Sequence, residues 1–395
     1  MDSKNKYYCG FPGINLKQFP RAKQSRNSAK TWFNSGDVYY LHMARTGIRF
    51  IPTLLGLEKD SEILIPAYNC GAEIDPLIKY GIKVVTYRID RSCNADLTDI
   101  GNRITCKTKA IYVTHYFGFP QKIDALINIC KQHGLYLIED CALSLFSRAA
   151  ERKLGTFGDV SIFSLVKSLP VPDGGVLIIN NKELKNVNWQ THSPEKVRVL
   201  RGMLPLIKST VLRGILKINS LNSLYALIMK LDSKRKISQI HNNISASNNK
   251  TILSPDQYYN ENLSDRQMSA ITNFLLDTFN VDDIIMRRRN NFNLFKSVIT
   301  NCGIKPLFRE LPEGVCPLCF PIIARNRDYL QVKLYERNVY SDAWWNGYHK
   351  AIDWDNYPDA CYLKENILTL PIHEGLDDQD IVSIAENLIA LMKSS

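Results

Sequence analysis

Long apolar runs are missing from this sequence. No stretch of about eighteen uncharged apolar residues occurs, so no membrane-spanning helix is expected. The opening residues, MDSKNKYYCGFPG, lack the apolar core of a secretory leader, and a cytoplasmic protein is expected. Densely spaced cysteines are missing too: ten are scattered over 395 residues, which is not a disulfide framework. Cys316 and Cys319 have CxxC spacing, but their setting, VCPLCFPIIA, reads as a β-strand. No second Cys/His pair completes a zinc site, so no metal is expected. Acids are scarce in one place. Residues 196–236 hold ten Lys and Arg against the single acid Asp232, so nine of the chain's eleven net positive charges sit there. The remainder is near neutral, which argues against nucleic acid as a partner of the whole surface. Core material is plentiful: 45% of the residues are hydrophobic and 10% aromatic. That excludes disordered and collagen-like chains, and the length predicts two domains.

The first part of the chain alternates strand-like and helix-like patterns. EILIP (62–66), KVVTY (83–87), AIYVTH (110–115), YLIED (136–140), VSIFS (160–164) and VLII (176–179) read as strands, several rich in β-branched residues. Between them, residues 73–80 suit a helix stopped by Gly81. Residues 121–133 carry apolar side chains at 123, 126, 127 and 130, a helical stripe closed by Gly134. Strands alternating with helices predict a large, mostly parallel sheet of α/β class. Residues 266–299 read as one or two long helices, with Arg287-Arg288-Arg289 as a solvated face. The remainder predicts a smaller C-terminal α/β domain. The division expected is a large domain over 1–250 and a small one, with the long linking helix, over 251–395.

In parallel sheets ligands bind beyond the carboxyl ends of the strands. That rule points to His115, Asp140 and the loop after Ser164. Taken alone, Asp140 reads first as a helix cap, ahead of a metal ligand or a catalytic acid. Lys167 lies 27 residues further on, between an apolar strand and the turn PVPDGG, where it would be held against the sheet's end. An Asp and a Lys at neighbouring strand ends suit pyridoxal 5'-phosphate. The Lys forms the covalent Schiff-base link, and the Asp keeps the pyridine nitrogen protonated so that the ring accepts electrons. Ala44-Arg45-Thr46-Gly47, ahead of a helical stretch, offers a helix N-terminus for the phosphate.

Longer stretches carry a family resemblance. They are EILIPAYNCGAEIDPLIKYGIKVVTYRID, THYFGFPQKID, LYLIEDCALS, LGTFGDVSIFSLVKSLPVPDGG, MRRRNNFNLF and ILTLPIHEGLDDQDI, in that order. Together the chain resembles the DegT/DnrJ/EryC1/StrS family of pyridoxal-phosphate aminotransferases that act on nucleotide-linked keto sugars. The resemblance implies the fold-type-I (aspartate aminotransferase-like) architecture, a homodimer with the site at the subunit interface, and amino transfer from a donor such as glutamate. It implies that Lys167 is the covalent lysine, that Asp140 pairs with the pyridine nitrogen, and that Ser164, Thr46 and Arg45 hold the phosphate. The family's Gln or His beside the ring hydroxyl is here Leu143, and His115 is the substitute expected. The ring-stacking aromatic is here Cys70, with Tyr68 nearby. The partner subunit's phosphate contact has Asn262 and Ser264 as candidates. Two other outcomes are kept. One is dehydration of a deoxysugar, against which Lys167 speaks because the resembling dehydratase branch has His there. The other is a non-aminating regulatory or membrane-docked protein.

Three features stay open at this level. His373 reads as a turn residue or as the family's counterpart. Trp344-Trp345 reads as a pocket wall or as an anchor between domains. The basic stretch 196–236 has apolar residues at helical spacing in two segments, broken near 219–222, with Pro205 kinking or starting the first. It reads as a helical pair with a solvated basic face, as a peripheral membrane contact, or as an entrance for an anionic substrate.

Overall fold

The computed structural model describes residues 7–10, 12–13, 27–184, 191–215, 234–238, 240, 252–253, 265–300 and 302–393. The large sheet is built from β1 (Asp37–Leu41), β2 (Glu62–Pro66), β3 (Lys83–Tyr87), β4 (Thr108–Thr114), β5 (Tyr136–Asp140), β8 (Val160–Ser164) and β9 (Gly175–Ile179). A two-residue hairpin, β6 (Arg148–Ala149) and β7 (Arg152–Lys153), interrupts the series. The spatial order is β1-β9-β8-β5-β4-β2-β3. Neighbours from β8 to β3 run parallel, and β9 alone is reversed, antiparallel to both β8 and β1. The strands β2, β5, β8 and β9 are buried almost throughout, as expected of strands covered by helices on both faces.

Helices α1 (Ala44–Leu54), α2 (Asp75–Lys79), α3 (Leu97–Arg103) and α4 (Ile123–His133) connect these strands. The stripe read from the sequence buries Ile123, Leu126 and Cys130 of α4, and Gly134 ends that helix at φ 64°, a conformation glycine adopts without Cβ strain. Asp96 caps α3 by accepting from the Thr98 and Asp99 amides. The helix expected over 73–80 is shorter, Asp75–Lys79. Glu73 is drawn instead into a turn, where its carboxylate accepts from the Cys70 amide.

Helix α5 (Lys196–Ile215) runs through Pro205 rather than starting there. The second apolar segment of the basic stretch, 221–231, and the candidates Asn262 and Ser264 lie outside the described residues. A short parallel pair, β10 (Ile252–Leu253) with β13 (Tyr348–His349), follows. The C-terminal part comprises α6 (Ala270–Leu276), α7 (Val281–Ile299), α8 (Arg327–Glu336), α9 (Pro358–Asn366) and α10 (Asp378–Lys393) around the antiparallel sheet β11 (Lys305–Pro306), β12 (Phe320–Ile323) and β14 (Ile367–Leu370).

Two sequence expectations change here. The strand after the CxxC pair begins only at Phe320, so Cys316 and Cys319 sit before it; both are buried, and burial pushes the Cys316 thiol up to about 11. The arginine run is not one solvated face: Arg287 is half-buried, whereas Arg288 is 1% exposed in the core. A period of 3.6 places residues around a helix but does not say which neighbour offers a carboxylate.

Candidate active site

The parallel direction of β4, β5 and β8 brings their last residues to one edge. Asp140 ends β5 and Ser164 ends β8. A single 3₁₀ turn, Leu165–Lys167, carries the chain off β8 and presents Lys167 at the same edge. Because β1 and β8 are both antiparallel to β9, β1 also ends there and delivers the start of α1.

Asp140 is 8% exposed. Its Oδ2 accepts from the Tyr112 hydroxyl at 3.0 Å and its Oδ1 from the Ala142 amide at 2.9 Å. Burial raises its carboxyl above the ordinary range, and the Lys167 ammonium opposes that rise. Lys167 and Asp140 are therefore within electrostatic reach. The Lys167 Nζ also lies 5.6 Å from the Trp344 ring centre and 5.9 Å from that of Trp345. These tryptophans belong to an aromatic wall: Tyr68 is 5.1 Å from Trp345, its hydroxyl donates to the Trp344 carbonyl, and the Tyr116 hydroxyl donates to the Tyr68 carbonyl at 2.7 Å. These contacts tie Trp344-Trp345 to Tyr68 and Tyr116 of the preceding part of the chain, as the anchor reading expects, and set both rings beside Lys167.

The turn holding Lys167 is fixed from behind. The Leu165 amide donates to Gly174 and the Gly174 amide to His42. Asp173 accepts from the Ser269 hydroxyl at 3.0 Å and the Thr272 hydroxyl at 2.7 Å. Burial pushes the Asp173 carboxyl up, but the His42 ring, 3.5 Å away, and hydrogen bonds from Thr272 and Ser269 outweigh it and leave it below the usual range. Arg288 donates to the Ser168 carbonyl at 2.5 Å and pairs with Glu374 at 2.9 Å. A guanidinium suits this place because its fixed fork serves two acceptors at once.

The other expected residues fall into two groups. Arg45, half-buried, and Thr46, buried, occupy the first turn of α1, whose N-cap Met43 has no polar side chain. Ser164 lies opposite Gly175 in register. A Cβ on Gly175 would come within 2.2 Å of the Met43 carbonyl carbon and 2.3 Å of the Ala44 nitrogen, so only glycine lets β9 touch the start of α1. These four residues thus meet at one junction. His115, Leu143 and Cys70 are placed differently. His115 Nδ1 accepts from the Gln121 amide at 3.0 Å, so Nε2 carries the proton, directed at Glu139 at 3.2 Å. Both nitrogens are spent inside the protein, which leaves His115 no atom for a ring hydroxyl. Leu143 is 1% exposed in the main apolar core and brings no polar atom. The Cys70 thiol donates to Glu73 at 3.0 Å; burial, helped by Glu73, pushes it up to about 12 and keeps it neutral.

Glu139, Asp140's neighbour in β5, takes the amides of Gly155, Phe157 and Gly158 at 2.6–2.9 Å. With His115 also on it, this carboxylate is committed to structure. The three side chains His115, Glu139 and Cys141 converge, and the hydrogen bonds just given account for the first two. Sequence reasoning missed Lys364. Its Nζ, 3% exposed as a residue, donates to Asn69 at 2.6 Å and Gly347 at 2.9 Å, and burial lowers its ammonium to about 8 while Cys70 and Glu73 pull it back up. Nothing in the local pattern of α9 marks it. His373 binds the Cys9 carbonyl and the Gly375 amide, as its turn reading requires.

Residues 46–197 match the model of the DegT/DnrJ/EryC1/StrS aminotransferase family. Over that stretch the chain is similar to these aminotransferases. It is 34% identical to the GDP-perosamine synthase of Vibrio cholerae over 46% of each chain. It is 29% identical to the GDP-4-keto-6-deoxy-D-mannose 3-dehydratase of Yersinia pseudotuberculosis over 35% of this chain and 38% of that one. The chain thus spans less than half the length of the curated relatives it matches. The fold continues where the sequence match stops. The Helicobacter pylori aminotransferase involved in the biosynthesis of pseudoaminic acid superposes with a TM-score of 0.66 at 14% identity, covering 99% of this chain and 100% of that one. The architecture is that of pyridoxal-phosphate aminotransferases.

Two observations test whether this edge suits the family's cofactor. Each oxygen of the buried Asp140 carboxylate accepts one hydrogen bond among the described residues, and a carboxylate has room for more. A protonated pyridine nitrogen is the cationic donor such a group lacks. At the other end, the close contact at Gly175 sets Ser164 against the backbone start of α1, a suitable phosphate cradle. Both ends fit. The place of a ring-hydroxyl partner is apolar, with Leu143 in the core and His115 turned to Glu139.

Proposed function

We propose that this chain is a pyridoxal-phosphate aminotransferase that aminates a nucleotide-linked keto sugar, in amino-sugar or surface-polysaccharide biosynthesis, with glutamate as donor and a homodimer as working form. The observation that carries this reading is a buried carboxylate, Asp140, within electrostatic reach of Lys167 at the carboxyl edge of the sheet. Bound there, pyridoxal phosphate supplies an electron sink through which an amino group passes from an amino acid to a carbonyl carbon.

Asp140 would hold the proton on the pyridine nitrogen, for which its burial and limited hydrogen bonding prepare it. Lys167 would tether the group covalently and, once displaced, move a proton at the substrate carbon as a general acid and base. Ser164, Thr46 and Arg45 would take the phosphate, Arg45 by a charge-assisted contact. Trp344 and Trp345 would shield the Lys167 amine from water on the side they occupy. The nucleotide-sugar substrate is supported by the named activities of the Vibrio and Yersinia relatives; glutamate and the homodimer rest on the family resemblance.

The Yersinia dehydratase makes dehydration the second reading. A lysine at 167 favours amino transfer, since the resembling dehydratases carry His in its place. The test is to load the purified protein with pyridoxal phosphate, add glutamate and a GDP-linked keto sugar, and read the products by mass spectrometry. The expected outcome is a sugar in which nitrogen replaces the keto oxygen, with one 2-oxoglutarate per amine. Loss of water without gain of nitrogen would select dehydration. Neither product, from a protein that stays colourless with the cofactor, overturns the proposal.

A further inference from the structure

Helix α5 is apolar on both sides. Of the nine large apolar side chains exposed among the described residues, four lie on it: Val197 at 59%, Leu200 at 64%, Leu204 at 63% and Ile207 at 48% exposure. Their spacing puts them in an arc of about 80° at 3.6 residues per turn. The opposite side, with Val199, Gly202, Met203 and Leu206, is half-buried. It lies against the body closely enough that a Cβ on Gly202 would meet the Pro172 carbonyl oxygen at 2.5 Å. The outward ridge is therefore not the side the body needs. Exposed cations border it: Lys196 on one flank, Arg201 and Lys208 on the other. The sequence 196–215 contains no acid.

From this we infer that the outward face of α5 docks on an anionic membrane surface, with Val197, Leu200, Leu204 and Ile207 entering the headgroup boundary and the flanking cations meeting acidic lipid. Charge complementarity selects this occupant. A second copy pairing through the same face would bring Lys196, Arg201 and Lys208 of each copy together, because a two-fold contact is made by one patch with itself. A nucleic acid would use the cations but gain nothing from a continuous apolar ridge. A basic helix with an outward apolar face binds through both terms, buried apolar area and attraction to acidic headgroups. The contact is peripheral, since no helix among the described residues is long and apolar enough to cross a membrane.

The test is flotation of the full chain with vesicles of phosphatidylcholine alone or mixed equally with phosphatidylglycerol, at low and high salt. Binding to the mixed vesicles, weakened by salt and absent with phosphatidylcholine alone, is expected. Leu200→Ser with Leu204→Ser, and separately Lys196→Glu with Arg201→Glu, should each weaken it about tenfold or more. All four side chains are exposed, so thermal unfolding of the variants should match the parent. Three results would overturn the inference: no flotation with the mixed vesicles, flotation that neither pair of substitutions changes, or a self-associated species in scattering that the Leu200→Ser, Leu204→Ser pair dissociates.

Discussion

The carboxyl edge of the sheet and helix α5 touch at Pro172 and Gly202, yet they use charge in opposite ways. Around Lys167 the charges are few and held. Asp140, Asp173, Arg288 and Lys364 are all buried, and each has named partners. On α5 the cations Lys196, Arg201 and Lys208 face solvent, and no acid stands among them in the sequence. A charge that remains inside the protein must be matched by something, and at Asp140 the proposed match is the cation of the cofactor, beside the Tyr112 hydroxyl and the Ala142 amide. A charge in water costs little wherever it is placed, so its number says nothing about chemistry. The net charge of +11 therefore draws the eye to a surface, while the proposed chemistry rests on a handful of buried groups.

The comparison can be broken most directly at Lys167. Lys167→Ala should lose covalent attachment of the cofactor and at least about 10³-fold in turnover, read by mass spectrometry after borohydride reduction and by the amination assay; a retained covalent adduct would remove Lys167 from its role. Next comes Arg288→Met, which leaves Glu374 and the Ser168 carbonyl without their partner. It should cost about 3–5 kcal/mol in a denaturant titration, and an unchanged midpoint would show that the Lys167 turn stands without it.

Lys364 sharpens the comparison through pH. Its ammonium sits at about 8 in the folded chain against about 10.4 when unfolded. Between these values the unfolded state holds more protons, so stability contributed by this residue rises with pH. Relative to Lys364→Met, the parent should gain about 2.5 kcal/mol from pH 8 to pH 10.5. Parallel stability curves for the two proteins would contradict a buried, depressed lysine.

Asp140→Asn separates function from stability. The folded carboxyl is raised above its unfolded value, so ionising it weakens the cofactor-free fold, fully so above the raised value and not at all below the unfolded one. The variant should lose about 10²-fold or more in turnover yet unfold at higher temperature at neutral pH without cofactor, an advantage that disappears in acid. The smallest effect is expected on the other side of the contact, where Leu204→Ser should change unfolding by no more than about 0.5 kcal/mol.

Much of this was legible in the sequence. The apolar run YLI followed by two acids placed Asp140 at a strand's end, and the strand-then-turn VSIFSLVKSLPVPDGG placed Lys167 beside it. The 123, 126, 130 stripe and Gly134 gave α4 its buried face and its stop. What the pattern could not give was the partner of each polar group. Glu139 and Asp140 are adjacent acids of equal propensity, but strand alternation sends them to opposite faces. One meets three backbone amides and the other the region of Lys167. His115, a sensible candidate by position, is claimed by Glu139 and Gln121. Arg288 sits in a run of three arginines, and only the packing of α7 against the Lys167 turn distinguishes it from its neighbours.

The sequence by itself determined the α/β class, the strand ends that carry Asp140 and Lys167, and the concentration of positive charge in one stretch. These depend on local periodicity, turn residues and composition, all of which are properties of neighbouring residues. The tertiary structure alone decided which carboxylate is bound by backbone amides and which faces the region of Lys167, why Lys364 and Arg288 are buried, and that α5 turns apolar side chains outward. Those outcomes depend on residues tens to hundreds of positions apart meeting in space, where desolvation penalises an unpaired charge and makes the identity of its partner decisive.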